Sequence, residues 1–186
     1  MELQVGLLGG GSWGTTVASL VARKASMTLW ARDANVVDEI NRNHTNSKFL
    51  PDANLSPRLK ATVDLEEAVA NKDVIVVGIP SQNFRSVVEE VKKYIRPWVP
   101  VISLSKGLEH ASSMRMTEVI DDILPGHPRG VLTGPNLARE IMAGYAAASV
   151  MAMEDQVIVK ELQKLFHSGL FRVYTNHDVI GCELGG

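Results

Sequence analysis

A glycine-rich segment near the start of the chain, residues 9–14, has the composition and spacing of a phosphate-binding turn. An apolar run precedes it, and Val17, Leu20 and Val21 follow at helical spacing, which predicts a strand, a tight turn and a helix. The first N–H groups of such a helix, reinforced by its dipole, face an anion. We therefore expect the diphosphate of a dinucleotide at residues 10–13. The candidate coenzyme contacts in this segment are Gly9, Gly10, Gly11, Ser12, Trp13 and Gly14.

Three of these glycines have separate expected roles. Gly9 turns the chain sharply, Gly11 leaves no Cβ between the backbone and the diphosphate, and Gly14 lets the helix pack close to the strand. A P-loop would have the same glycine spacing, but Thr15 stands where its phosphate-binding lysine should be. The segment therefore excludes a nucleotide triphosphatase.

Coenzyme choice depends on the residues after the second predicted strand, residues 27–30. An NAD-selective unit has an acidic residue there that binds the ribose hydroxyls, and Ala31 occupies that position here. Arg32 can pair with a 2′-phosphate or stack on adenine, which favours NADP or tolerance of both coenzymes. Alternatively, Arg32 is a solvated loop residue and Asp33 only caps a helix at residues 34–42. The choice between NADP and NAD therefore stays open.

The β-branched run at residues 74–77 predicts a strand that is buried on both faces of a parallel sheet. Ligands bind at the carboxyl ends of such strands, so the following turn, which contains Pro80, should line the coenzyme groove. We interpret Ser81 as the N-cap of a helix at residues 82–94. The polar, proline-marked segment at residues 43–58 is predicted to be a loop that can act as a mobile flap over the site.

Two further turns follow predicted strands at residues 100–104 and 130–133. Lys106 precedes a glycine in the first turn, where its ammonium group can serve a phosphate, an oxyanion or a proton transfer. Surface lysines are common, so a simple surface role stays open. In the second turn Asn136 is expected to cap a helix at residues 137–143, which would make a second anion-binding helix start.

The alternation of strands and helices predicts an α/β fold of the Rossmann type, a doubly wound, mostly parallel sheet with helices on both faces. Late strands are expected at residues 146–153 and 171–175, with freedom to run antiparallel, around a helix at residues 155–166. The length of 186 residues and the hydrophobic content of 45% favour one domain with a substantial core. We assign residues 1–186 to a single dinucleotide-binding domain.

Composition argues against several other functions. The net charge of -2 and the lack of a basic run give no case for nucleic acid or an anionic membrane surface. The single cysteine, Cys182, excludes an internal disulfide, and the start at Met1 without a leader makes the cytoplasm the expected location. The five histidines show no metal-ligand spacing, so no metal is expected.

Five segments, in this order along almost the whole chain, resemble the NAD(P)-dependent sn-glycerol-3-phosphate dehydrogenases of bacterial type. The segments are GGGSWGT (residues 9–15), LWARD (29–33), SKGLE (105–109), TGPNLARE (133–140) and FRVY (171–174). The resemblance implies reversible hydride transfer between carbon 2 of glycerol 3-phosphate, which becomes dihydroxyacetone phosphate, and the nicotinamide. It also implies a role in supplying the glycerol phosphate backbone of phospholipids.

The resemblance also assigns roles to residues. Ser12, Trp13 and Arg32 correspond to dinucleotide contacts, and Ala138 to another. Lys106 corresponds to a catalytic lysine that touches coenzyme and substrate, with Gly134 and Asn136 on the substrate side. Asn136 stands where a serine or threonine is frequent in relatives, so the resemblance supports a substrate-binding role for its side chain less strongly.

Family members continue beyond the Gly-Gly pair found here as Gly185 and Gly186. The resemblance implies that the general acid or base lysine lies beyond Gly186, followed by a helical substrate domain, and that the full-length proteins are homodimers. We therefore expect little or no turnover from the 186 residues alone, because proton transfer contributes about 10²- to 10⁴-fold to rate. Two alternatives stay open: the coenzyme domain of another hydroxy-acid dehydrogenase, and an NAD(P)-sensing module without chemistry.

Overall fold

The computed structural model describes residues 2–186 as one eight-stranded sheet with helices on both faces. The strand order is β3-β2-β1-β4-β5-β6-β7-β8. The strands are β1 (Gln4–Leu8), β2 (Ser26–Trp30), β3 (Leu59–Thr62), β4 (Val74–Val77), β5 (Val101–Ser103), β6 (Arg129–Thr133), β7 (Ala147–Met153) and β8 (Phe171–Asn176). The chain order reverses between β1 and β4, which is where a doubly wound sheet opens a crevice.

The helices alternate with these strands. They are α1 (Ser12–Val21), α2 (Ala34–Asn43), α3 (Leu65–Val69), α4 (Ser81–Val91), α5 (Met116–Ile123), α6 (Ala138–Met142), α7 (Gln156–Phe166) and α8 (Val179–Gly185). One apolar core lies under α1, α2 and α7, and a second lies under α3, α4 and α5 on the opposite face. The doubly wound α/β fold expected from the sequence is confirmed.

The sheet is parallel from β3 through β6 because helices carry the chain back across its faces between successive strands. Strand β4 is buried at every position, as its unbroken β-branched run predicts. Strand β7 runs antiparallel to β6, and β8 then runs parallel to β7. The expected freedom of the late strands to run antiparallel therefore applies to the β6–β7 pair.

Several boundaries differ from those expected. Helix α1 begins at Ser12, inside the glycine-rich segment, so the glycine turn is shorter than residues 9–14. Helix α4 begins at Ser81, and Pro80 is the N-cap, so the N-cap role predicted for Ser81 is wrong. Proline fits there because its φ of -54° already matches a helix entry. Helix α8 was not predicted, and it lies against β6 and β7 through Val179.

The loop at residues 44–58 packs into the first core instead of lying free over the sheet. Leu50 and Leu55 are buried there, and the backbone N–H of Leu55 donates to the carbonyl oxygen of His44. This segment is therefore an anchored loop that is packed against the core, in contrast to the mobile flap expected from the sequence. Within residues 2–186, none of the helices has both the length and the apolar character needed to cross a bilayer.

Candidate functional site: an anion-binding turn and a nucleotide groove

A cavity of about 440 Å³ opens at the carboxyl ends of β1, β2 and β4. Its floor is the glycine turn, and its walls come from the ends of β2 and β4, the loop after α2 and the first turns of α4. The lining residues are Gly9, Gly10, Gly11, Trp30, Ala31, Arg32, Asp33, Val36, Lys48, Phe49, Gly78, Ile79, Pro80, Asn83 and Val87. The predicted contacts Gly9, Gly10, Gly11, Arg32 and Pro80 therefore lie together at one site.

Close packing explains why glycine is needed at two positions of the turn. Gly9 has a φ of +129°, and a Cβ there would lie 2.2 Å from the carbonyl oxygen of Gly78. A Cβ at Gly14 would lie 2.0 Å from the carbonyl oxygen of Gly9. Gly11 differs from both, since a Cβ built on it meets nothing within 4 Å. The space above Gly11 is therefore open to a ligand.

Helix α1 begins without a side-chain cap. Its N-cap residue is Gly11, and the first turn contains no acidic residue. Four other helices, α2, α3, α7 and α8, begin at aspartates whose carboxylates accept backbone N–H bonds. The first N–H groups of a helix need hydrogen-bond acceptors. In α1 these groups follow directly after the glycine turn, at the edge of the cavity. This arrangement fits the diphosphate of a dinucleotide coenzyme.

Asn46 joins the loop after α2 to the glycine turn, a role that the sequence analysis missed. Its side chain is fully buried, and its Nδ2 donates to the carbonyl oxygen of Gly10 at 3.0 Å and to Thr15 Oγ1 at 2.9 Å. Thr15 Oγ1 also donates to the Gly10 carbonyl, at 3.1 Å. Asn46 and Thr15 therefore hold the turn from behind, away from the ligand side.

Lys48 and Phe49 follow Asn46 and line the cavity, and they too were missed. Glu39 of α2 holds this loop by accepting bonds from Thr45 Oγ1 and from the backbone N–H of Ser47, both at 2.8 Å. The Ser47 bond, with that of Thr45, lowers the pKa of Glu39 despite its partial desolvation. No local sequence pattern marks these residues, because their positions depend on contacts between the loop and α2.

The end of the cavity that is lined by Arg32, Asp33 and Lys48 is charged. Lys48 Nζ lies 2.7 Å from Asp33 Oδ2, and this bond is the main cause of the lowered pKa of Asp33. The other oxygen of Asp33 accepts the backbone N–H of Asn35 at 3.0 Å, as expected of an N-cap. Arg32 is exposed, and no carboxylate in the part of the chain that the structure describes forms an ion pair with it.

Lys106 and Gly134 are brought together beyond this cavity. Lys106 Nζ donates to the carbonyl oxygen of Gly134 at 3.3 Å, and Gly134 lines a second cavity of about 380 Å³. Glu109, in the same loop as Lys106, makes a two-bond ion pair with Arg85 of α4, at 2.9 and 3.1 Å. The Arg85 bonds lower the pKa of Glu109, so the carboxylate stays charged and anchors the loop.

Asn136 also lines the second cavity, but it does not cap α6. The N-cap is Leu137, no side chain bonds to the helix start, and α6 has only five residues. The predicted cap is therefore wrong, and the second anion-binding helix start stays a prediction. Asn136 Nδ2 instead donates to the buried hydroxyl of Ser149 on β7 at 2.5 Å, a partner that is distant in sequence.

Gly186 is the position beyond which the resemblance places the general acid or base lysine. It is the C-cap residue of α8 and is exposed to solvent. A Cβ built on it would overlap Thr133 Oγ1 at the carboxyl end of β6, so Gly186 lies beside the residue that precedes Gly134. The lysine itself falls outside residues 2–186, and its role stays a prediction.

The remaining predicted contacts lie on the first turn of α1 and next to it. Ser12 is exposed, and Trp13 is half-buried with its ring edge-to-face with Phe171, 6.1 Å between centroids. Ala138 packs against the core beside α1. These residues lie outside the lining of the main cavity, on its side toward β8.

The fold and the glycine-turn site together define a dinucleotide-binding domain of the Rossmann class. A model of the family described as NAD-dependent glycerol-3-phosphate dehydrogenase N-terminus matches residues 4–159, and the chain belongs to this family. This agrees with the resemblance noted in the sequence.

Individual relatives support the same assignment. Glycerol-3-phosphate dehydrogenase (NAD(P)+) 2 of Sphingopyxis alaskensis is 67% identical over the whole chain, which covers 56% of that protein. The enzyme of Mycobacterium avium is 52% identical over the whole chain, covering 54% of that protein. A crystal structure of the Coxiella burnetii glycerol-3-phosphate dehydrogenase matches 98% of the chain and 56% of its own, with a TM-score of 0.91 and 33% identity. The chain therefore spans about half the length of the relatives it matches.

Proposed function

We propose that the chain is the NAD(P)-binding domain of an oxidoreductase that interconverts sn-glycerol 3-phosphate and dihydroxyacetone phosphate by hydride transfer at carbon 2. The observation that carries the coenzyme part is the uncapped start of α1 at Gly11, beside a cavity with open space above that glycine. Family membership and the names of the relatives support the substrate part. The nicotinamide coenzyme, when bound, accepts or donates the hydride.

The chain's own residues then have distinct tasks. The N–H groups at the start of α1 bind the diphosphate, and Arg32 and Pro80 border the groove in which the rest of the nucleotide lies. The full set of proposed coenzyme contacts is Gly9, Gly10, Gly11, Ser12, Trp13, Gly14, Arg32, Pro80, Lys106 and Ala138.

Lys106, Gly134 and Asn136 form the proposed substrate side. The Lys106 ammonium now donates to the carbonyl of Gly134, so a substrate oxygen can replace that carbonyl as its acceptor without new burial of charge. A positive charge at this oxygen stabilises the negative charge that develops when hydride arrives at carbon 2 of dihydroxyacetone phosphate. Asn136 contributes chiefly its backbone, since its side chain already bonds to Ser149.

The general acid or base lysine is proposed to lie in the part of the full-length enzyme that follows Gly186. The position of Gly186 against Thr133 supports this, because chain that continues from there starts next to Gly134 and the proposed substrate side. Residues 1–186 alone then hold the coenzyme and Lys106 but lack the group that moves the substrate proton. We therefore propose that they turn over substrate little or not at all.

The same proposal covers organisation and location. Residues 1–186 act as one dinucleotide-binding domain, whose relatives are about twice as long. We propose a homodimer for the full-length enzyme and a reducing cytoplasm as its location, which suits a chain with one free thiol.

Calorimetric titration of the folded chain with NADH and NADPH tests the coenzyme part. We expect saturable heat with at least one of them, and no heat with either would contradict the proposal. The substrate part is tested by saturation-transfer NMR on the coenzyme complex, which detects weak ligands. Dihydroxyacetone phosphate should receive saturation and pyruvate should not; equal transfer to both would favour another hydroxy-acid dehydrogenase.

A further inference from the structure

The charged end of the coenzyme cavity contains two cations and one carboxylate. Arg32 and Lys48 line this end together with Asp33. Lys48 pairs with Asp33, and Arg32 forms no ion pair with a carboxylate among residues 2–186, so the charged side chains that line this end have an excess of positive charge. A ligand group that binds here is therefore expected to be an anion.

Asp33 is poorly placed to read a ribose diol. Its Oδ1 accepts the N–H of Asn35 as the cap of α2, and its Oδ2 accepts Lys48 Nζ at 2.7 Å. A diol that donates to this carboxylate would have to compete with a charge-assisted bond, which is stronger than a neutral one. Both oxygens of the Asp33 carboxylate are thus already in use within the protein.

Lys48 differs from an ordinary surface lysine because its backbone is fixed on both sides. Ser47 is held by both oxygens of Glu39, its Oγ at 3.0 Å and its N–H at 2.8 Å. Asn46, one residue earlier, is bonded to the glycine turn, and Leu50 is buried in the core. The loop therefore presents the ammonium to the cavity at a defined place, next to Arg32.

We propose that Lys48 is a coenzyme-specificity residue, which together with Arg32 binds the 2′-phosphate of NADP(H). On binding, Lys48 exchanges the Asp33 carboxylate for the phosphate, and Arg32 supplies the second set of donors. A dianionic phosphate gains two cationic partners here, whereas the 2′-hydroxyl of NAD(H) gains none. This inference rests on the proposed coenzyme function and adds to it a preference for NADP(H).

The test is calorimetric titration of NADPH and NADH into the wild-type chain and three variants. Wild type should bind NADPH at least about tenfold more tightly than NADH, since a hydrogen bond to a charged group is worth about tenfold or more in affinity. The Lys48→Gln substitution should weaken the affinity for NADPH by about tenfold and the affinity for NADH by less than about twofold. The control Lys160→Gln removes an equal charge from α7, at a place away from the cavity, and should change neither affinity.

Asp33→Asn separates the two possible roles of the acidic residue. Asparagine keeps an oxygen for the α2 cap and releases Lys48, so NADPH affinity should be equal or higher. If NADH affinity falls by more than about tenfold while NADPH affinity is unchanged, Asp33 binds the ribose hydroxyls, and this result would overturn the inference. The inference also fails if Lys48→Gln leaves the NADPH to NADH ratio unchanged, or if wild type prefers NADH. In those cases coenzyme still binds and the proposed function stands; binding of neither coenzyme would remove both.

Discussion

Helices α1 and α7 begin in opposite ways. Helix α7 starts at Asp155, whose carboxylate accepts the N–H groups of Val157 and Ile158, both at 2.9 Å. Helix α1 starts at Gly11, which has the same extended backbone but no side chain to cap the first turn. A glycine N-cap is roughly a few tenths of a kcal/mol less favourable than an aspartate N-cap, so the protein gives up a little stability at α1. The difference indicates that the acceptor for the α1 N–H groups comes from outside the chain.

The two helix starts also differ in their surroundings. The start of α1 borders the cavity and is fixed from behind by Asn46 and Thr15. The start of α7 follows the antiparallel strand β7 and lies on the surface. A rigid turn with open donors is what preorganised anion binding requires, because little ordering cost remains when the ligand arrives.

The largest effect is expected for Gly11→Asp, which gives α1 the cap that α7 has. Gly11 has a φ of -71° and free space for a Cβ, so aspartate fits and should raise the free energy of unfolding by roughly a few tenths of a kcal/mol. Its carboxylate would occupy the N–H groups and repel the diphosphate. We expect coenzyme affinity to fall by at least about 100-fold, measured by calorimetry beside urea unfolding.

Gly11→Asp separates stability from binding, so a more stable variant that still binds coenzyme normally would show that the diphosphate lies elsewhere. Binding lost together with stability would show only a damaged fold, which the urea experiment detects.

A smaller effect is expected for Asn46→Ala, which removes the support behind the turn. Loss of two buried hydrogen bonds should lower the free energy of unfolding by about 1–3 kcal/mol. Both coenzymes should bind about tenfold more weakly, in contrast to the selective loss expected for Lys48→Gln. The matched control is Asn41→Ala, since Asn41 also makes two bonds, to the backbone of Ala61, but away from the turn. Equal effects of the two variants on affinity would contradict a positioning role for Asn46.

The smallest effect on binding is expected for Asp155→Ala. It removes the α7 cap and should lower the free energy of unfolding by about 1 kcal/mol. Coenzyme affinity should stay within about twofold of wild type in the same titration. A clear loss of affinity would mean that any weakened helix start disturbs the site, and the contrast with α1 would lose its meaning.

The parts of the fold and site that follow from short-range patterns could be predicted from the sequence. The glycine turn, the buried run of β4 and the helix with Val17 and Leu20 depend on spacing within a few residues, and the structure has them at these places. The family resemblance placed Lys106 and Gly134 on the same side of the site, and the parallel pairing of β5 with β6 brings these two residues together.

Contacts between distant segments could not be predicted. Asn46 lies in a polar loop that gives no local signal, and its role arises only because the loop packs against the turn. Asn136 has the type and position of a helix cap, but Ser149 on the antiparallel strand β7 competes for its side chain. The roles of Ser12, Trp13 and Ala138 stay predictions, since their contacts in the chain itself are internal or solvent-facing.

The most direct test of the central claim is a crystal structure of the chain soaked with NADPH. We expect density for the diphosphate above Gly11, with its oxygens about 2.7–3.2 Å from the backbone N–H groups at Ser12 and Trp13. Density for the coenzyme at another place, with the start of α1 facing only solvent, would contradict the account.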